Sequence, residues 1–165
     1  MPTNIFAEIE HTARQYPDNF ALEMFGDDAD TRYTYQQVME FAAQLGQALR
    51  QRRVAKGDRV AFWARLTPNW VVAYLGVMQI GAVIVPLDFE YSTKDLASIL
   101  ERTQSKFIFS VEEKLAAIKG VAATLASPPT IVLLDAAQSS PDALSIREIF
   151  QQSLPVEALP DIAPE

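Results

Sequence analysis

Hydrophobic positions along the chain recur at helical spacing in some segments and form short continuous runs in others. The clearest helical pattern follows Thr34, which together with Gln37 matches a capping box, and it extends to about Arg53. Buried strands are predicted at 59–63, 82–85, 107–109 and 131–134. Because strands alternate with helices, we predict an α/β fold whose largely parallel sheet is flanked by helices.

The remaining segments complete this pattern. A helix at 5–16 precedes a hairpin with strands at 20–25 and 32–34. The run at 82–85 is apolar throughout, which predicts a central parallel strand with both faces covered. Four more helices are predicted to begin at capping residues: Thr67 followed by Pro68, Ser92, Ser110 with Glu113, and Ser145 with Glu148.

The stretch 66–87 carries no charge and is about as long as a membrane span. However, it contains Pro68, Asn69, Gln79, Gly81 and Pro86, and such breakers and amides are costly in lipid. We therefore interpret it as a buried helix followed by a buried strand, and we expect no transmembrane segment.

Composition limits the class of protein. The 165 residues are 49% apolar and 21% charged, which is typical of one globular domain with a hydrophobic core. The net charge of −7 disfavours a nucleic-acid partner. A single basic cluster comprises Arg50, Arg52, Arg53 and Lys56, and we interpret it as cations that complement a helix carboxyl terminus.

The chain has no cysteine, which excludes disulfides, thiolate nucleophiles and zinc–thiolate sites and fits a cytoplasmic protein. His11 is the only histidine, and no nucleophile-elbow sequence accompanies it, so a surface position is expected.

Gly76 and Gly81 have the spacing of a phosphate loop. Ala82 and Val83 follow them instead of Lys and Ser or Thr, so both glycines are interpreted as packing and capping residues.

Two aspartates follow predicted strands at the edge where α/β proteins bind ligands. Asp88 could bind a ribose hydroxyl or a metal, and the same hypothesis applies to Asp135. We favour the interpretation that each is a turn residue. The other acidic groups are given structural roles: Asp27, Asp28 and Asp30 lack the rest of a calcium loop, and Glu112 and Glu113 fall in the first turn of a helix.

Four segments, in this order and spacing, resemble the amino-terminal region of the adenylate-forming (AMP-binding) superfamily, especially its acyl-CoA synthetases and long-chain fatty acid–CoA ligases. The resemblance is strongest over 5–110. Its segments are Thr34-Tyr35-Gln36-Gln37-Val38, Lys56-Gly57-Asp58-Arg59-Val60, Thr67-Pro68-Asn69-Trp70 and Gly81-Ala82-Val83-Ile84-Val85-Pro86-Leu87.

The resemblance implies a parent enzyme that uses ATP and Mg²⁺ to convert a carboxylic acid, such as a fatty acid, into an acyl-adenylate and pyrophosphate. Coenzyme A or a carrier-protein thiol then accepts the acyl group. The family's functional motifs are a phosphate loop ending in Pro-Lys-Gly, an aromatic–Thr–Glu segment, a ribose-binding aspartate and a lysine from a carboxyl-terminal domain. The chain contains none of them, so no catalytic, substrate-binding, cofactor-binding or metal residue is assigned.

We expect residues 1–153 to form a partial amino-terminal subdomain and 154–165 to be a proline-rich acidic connector towards the missing loop. As a cofactor-free fragment it would be inactive alone, and it would self-associate through apolar surface that normally packs against the rest of the enzyme. Two alternatives stay open: a stand-alone, non-catalytic interaction module with the same fold, and an unrelated flavodoxin-like binding domain.

Overall fold

The computed structural model describes residues 5–25 and 31–152. These form a two-stranded antiparallel hairpin, β1–β2, and a five-stranded parallel sheet of order β4-β3-β5-β6-β7. The elements are α1 (Ile5–Gln15), β1 (Phe20–Met24), β2 (Thr31–Thr34), α2 (Tyr35–Gln51), β3 (Arg59–Phe62), α3 (Pro68–Gln79), β4 (Val83–Pro86), α4 (Thr93–Thr103), β5 (Phe107–Ser110), α5 (Glu112–Ala122), β6 (Thr130–Leu133), β7 (Leu144–Ser145) and α6 (Ile146–Gln151).

Helices cover both faces of the parallel sheet, as predicted. Side chains of β3 alternate between two hydrophobic clusters because successive strand residues point to opposite faces. Phe62 joins the cluster formed with α2, α3 and α6. Ala61 and Trp63 join the cluster formed with α4 and α5. The α/β prediction and the layered arrangement are confirmed.

Three of the predicted helix starts have the expected caps. Thr34 and Ser92 form complete capping boxes, with Gln37 and Asp95 respectively. The Thr67 side chain accepts a hydrogen bond from the Trp70 backbone N–H, and proline opens that helix. Local side-chain chemistry therefore specifies where these helices begin.

The predictions of the two other capping boxes are partly wrong. Ser110 is the last residue of β5, and its hydroxyl donates to the Trp63 carbonyl oxygen instead of capping α5. Ser145 does cap α6, but its hydroxyl accepts from the Arg147 N–H and donates to the Ala136 carbonyl oxygen. In both cases the serine hydroxyl donates to a carbonyl oxygen outside the helix that it was predicted to cap, and the complete capping box does not form.

The strand at 82–85 is not central, which corrects the prediction. Within 5–25 and 31–152, β4 pairs only with β3 and forms an edge of the sheet, and its Val83 side chain is 48% exposed. Pro86, at its end, suits an edge because it has no N–H to donate to a further strand.

The uncharged stretch 66–87 folds as the helix α3 followed by β4. Within the described part of the chain, no helix is long and apolar enough to cross a membrane.

Candidate functional site

The carboxyl ends of β3 and β5 lie side by side, and the chain leaves them towards opposite faces of the sheet. β3 continues into α3 on one face, and β5 continues into α5 on the other. In open α/β sheets ligands bind in the crevice outside such a switch point. This edge is therefore the candidate functional site.

Trp63 joins the three loops that leave this edge. Its side chain is 1% exposed, and its indole Nε1 donates to the Asp88 carbonyl oxygen at 3.0 Å. Its own carbonyl oxygen accepts from the Ser110 hydroxyl at 2.7 Å. The loops after β3, β4 and β5 are thus held in one fixed arrangement.

Two cations pack against aromatic rings beside Trp63. The Arg65 guanidinium carbon lies 4.1 Å from the centroid of the Phe89 ring, and Lys114 Nζ lies 4.3 Å from the same centroid. Lys114 Nζ is also 4.4 Å from the Trp63 ring centroid, and Arg65 is 3.9 Å from a Glu90 carboxylate oxygen. The cation–π contacts connect the loop after β4 to the loop after β3 and to α5, and each is worth roughly 0.5–1 kcal/mol where exposed.

Two adjoining cavities border the same edge, with volumes of about 100 Å³ and 400 Å³. They share Thr31, Asn69 and Arg147. The larger is within the range of small-molecule sites. The smaller is completed by Met24, Thr67, Pro68, Val111, Leu134 and Asp135, and the larger by Arg32, Tyr33, Phe41, Phe150 and Gln151.

A buried amide connects the walls of these cavities. Asn69 accepts from the Tyr33 hydroxyl at 2.7 Å and donates to the Leu134 carbonyl oxygen at 2.6 Å. Burial raises the pKa of Tyr33, and the nearby positive charge of Arg147 partly opposes that shift. The hydroxyl therefore acts as a neutral hydrogen-bond donor.

Arg147 is a cation that lines both of these cavities. It is exposed, and it forms no ion pair with the residues that the structure describes. A guanidinium beside two hydrogen-bonded polar side chains can receive an anionic group. Within 5–25 and 31–152, no group of three or more His, Cys, Asp and Glu side chains could hold a metal ion.

The structure gives the two candidate aspartates structural roles. Asp88 Oδ1 accepts from the Glu90 backbone N–H at 2.9 Å, which is a local turn contact. Both carboxylate oxygens of Asp135 accept from the Glu112 N–H, at 3.0 and 3.2 Å. Asp135 is therefore the cap of α5 that Ser110 was expected to supply.

The other candidates also fit their structural interpretations. His11 is exposed on α1, where its Nε2 lies 3.2 Å from Gln15 Nε2. Gly76 packs against α2, and Gly81 has a φ of +72° just after α3. Glu112 and Glu113 open α5. Asp27, Asp28 and Asp30 lie outside the described residues.

The sequence patterns did not indicate Tyr33, Asn69 and Arg147 as a group. Tyr33 and Asn69 are 36 positions apart, and Asn69 lies 65 positions from Leu134. The only local signal was Asn69 itself, an amide near the start of a largely apolar helix. Their meeting depends on tertiary packing, which the pattern of a single segment does not encode.

Comparison with known proteins decides the family. The sequence model described as "AMP-binding enzyme" matches residues 9–163. The chain belongs to the AMP-binding enzyme family. The predicted resemblance to adenylate-forming ligases is thereby confirmed, and the unrelated flavodoxin-like alternative is wrong.

Relatives of this AMP-binding chain include CoA ligases. It is 28% identical to the 3-hydroxybenzoate–CoA/4-hydroxybenzoate–CoA ligase of Thauera aromatica over 138 residues, which cover 83% of the chain and 26% of that enzyme. It is 31% identical to the 3-hydroxybenzoate–CoA ligase of an Aromatoleum species over 105 residues, which cover 64% of the chain and 20% of that enzyme. The chain thus matches about a quarter or less of the length of these relatives.

A solved structure shows the same fold. The crystal structure of the anthranilate CoA ligase AuaEII in complex with anthranoyl-AMP superposes with a TM-score of 0.81 at 22% identity. The match covers 92% of this chain and 29% of the ligase. The α/β arrangement described above therefore also occurs in part of that ligase.

Proposed function

We propose that this chain is the amino-terminal part of an ATP-dependent acid–thiol ligase. The family match over 9–163 carries the proposal, and the relatives named above are CoA ligases. The parent would use ATP and Mg²⁺ to make an acyl-adenylate and pyrophosphate from a carboxylic acid, and would then transfer the acyl group to coenzyme A or a carrier-protein thiol.

The 165 residues are proposed to be inactive on their own. Stabilising the charge that develops on phosphate requires preorganised cations and N–H donors, and the sequence has no Pro-Lys-Gly loop. The two aspartates at the carboxyl edge already serve a turn and a helix cap. Arg147 adds a positive charge at this edge, but an arginine does not act as a general acid or base.

The carboxyl edge is proposed to pack against the rest of the parent. Large apolar side chains are exposed there: Phe25 is 75% exposed, Leu66 is 71% exposed, and Met24 is 39% exposed. Exposed apolar surface of this kind usually marks an interaction site. In the isolated chain the same surface would favour self-association.

For the substrate of the parent enzyme we propose only that it is a carboxylic acid. A fatty acid was expected from the sequence, whereas the relatives reported above are named for hydroxybenzoates and anthranilate. Cytoplasmic location and the role of 154–165 as a connector also stay predictions.

ATP–pyrophosphate exchange tests the proposal on two proteins. The purified 165-residue chain is expected to show no exchange above a protein-free blank with benzoate, 3-hydroxybenzoate or a long-chain fatty acid, while a hydroxybenzoate–CoA ligase serves as the positive control. The longer native polypeptide is expected to exchange with at least one acid. Exchange by the 165 residues would overturn the inactivity claim, and no exchange by the longer polypeptide across a broad acid panel would overturn the ligase claim.

A further inference from the structure

A further cavity lies at the opposite, amino-terminal edge of the sheet. It has a volume of about 410 Å³ and sits where α2 ends and the chain turns towards β3. Three of the six residues that line it are cations: the full set is Arg50, Arg53, Val54, Ala55, Lys56 and Ile80. No carboxylate lines it, although the chain as a whole carries a net charge of −7.

Helix-end complementation explains only part of this basic cluster. Arg52 Nη1 donates to the Ala48 carbonyl oxygen at 3.0 Å, which is the role expected of a cation at the end of α2. Lys106 Nζ donates to the Arg53 carbonyl oxygen at 3.0 Å and to Asp58 at 2.6 Å. Arg52 and Lys106 do not line the cavity. These two cations, from outside the cavity, bind the Ala48 and Arg53 carbonyl oxygens and the Asp58 carboxylate.

Arg50 and Arg53 remain without such partners. Neither forms an ion pair with the residues that the structure describes. Arg50 is half-buried, and its Nη1 is enclosed without a hydrogen-bond acceptor. A buried donor without an acceptor, on a charge without a counter-charge, is destabilising unless something compensates it.

The backbone holds Arg53 in place. Its φ of 63° lies in the left-handed region, which is uncommon for a residue other than glycine or asparagine. Its N–H donates to the Arg50 carbonyl oxygen at 2.8 Å, and its own carbonyl oxygen accepts from Lys106. The Val54 N–H donates to the Leu49 carbonyl oxygen at 3.0 Å, so this left-handed residue ends α2 in the usual way and fixes the backbone from which the Arg53 side chain leaves.

We propose that this cavity binds a phosphate group, either as inorganic phosphate or as a phosphomonoester. Guanidinium groups match the oxygens of phosphate in two-pronged hydrogen bonds, and a dianion would compensate the two unpaired charges. The site is independent of the proposed ligase function, because it lies at the edge of the sheet away from the switch point between β3 and β5.

Calorimetric titration of the 165-residue chain with inorganic phosphate, at constant ionic strength, tests the proposal. We expect one saturable site. Arg50→Gln and Arg53→Asn are each expected to weaken binding about tenfold or more, since each removes charge-assisted hydrogen bonds, and asparagine tolerates the left-handed backbone of Arg53. Arg52→Gln is the matched control: it removes the same charge from the same cluster, and it is expected to change affinity by about twofold or less.

Three results would overturn the proposal: no saturable binding, equal weakening by Arg52→Gln, or unchanged binding in both cavity variants. Circular-dichroism melts of each variant show whether a loss of binding reflects unfolding, and Arg50→Lys, which keeps the charge, is expected to retain part of the affinity. Titration with glucose 6-phosphate and with vesicles of phosphatidic acid in phosphatidylcholine, against pure phosphatidylcholine, shows whether a soluble phosphomonoester or a lipid headgroup uses the site.

Discussion

Replacing Gly76 with alanine should destabilise the chain, because α2 and α3 approach closely at this point. A Cβ at Gly76 would lie 2.9 Å from the Ala42 carbonyl oxygen and 3.1 Å from Leu45 Cβ and Cδ2. Ala42 and Leu45 are fully buried, so neither helix backbone can yield without disturbing the core. Overpacking of this kind costs about 1–3 kcal/mol, and alanine gains roughly 1 kcal/mol over glycine in a helix, so we expect a net destabilisation of up to about 2 kcal/mol.

Gly120 provides the matched control. It lies within α5, and a Cβ there would meet no atom within 4 Å. Gly120→Ala is therefore expected to stabilise the chain by about 0.5–1 kcal/mol. Urea unfolding measured by circular dichroism gives both free energies, and for a domain of this size 1 kcal/mol corresponds to about 2–4 °C in Tm. A Gly76→Ala variant as stable as Gly120→Ala would refute the close α2–α3 contact.

Three other predictions concern the caps, the charges and the exposed surface. Asp135→Ala should cost about 1 kcal/mol in urea unfolding, because the Glu112 N–H at the start of α5 loses its acceptor. The hydrogen bond from Lys106 holds the pKa of Asp58 below its usual value. Asp58 therefore stabilises the fold above its unfolded pKa, so the stability difference between the wild type and Lys106→Met should shrink as pH falls below about 4; a pH-independent difference would contradict this. Leu66→Glu should reduce concentration-dependent self-association in sedimentation velocity, and a strictly monomeric wild type would count against the exposed-edge interpretation.

Local patterns were sufficient to predict most of the fold. Thr34 with Gln37 and Thr67 with Pro68 place the starts of α2 and α3 correctly, because a cap acts within four residues. Gly81 at a positive φ ends the α3 region as expected. Alternation of such helices with apolar runs was enough to predict a parallel sheet covered on both faces.

Errors arose where a distant partner competes with a local signal. An apolar run predicts a covered strand, but it does not say whether another strand lies beyond it, and β4 proved to be an edge. Ser110 matches a capping box, yet its hydroxyl bonds to Trp63, 47 positions away, and Asp135 caps α5 from 23 positions away. The cavity around Arg147 likewise depends on contacts between segments that no single pattern contains.

The native coding sequence beyond Glu165 tests the central claim most directly. We expect an open reading frame that continues into a Ser/Thr/Gly-rich loop ending in Pro-Lys-Gly, within about twenty residues, because a backbone cradle and a lysine are needed to hold the phosphates of ATP. A stop codon directly after Glu165 would contradict the proposal of a ligase fragment. It would make the non-catalytic interaction module the better account of this fold.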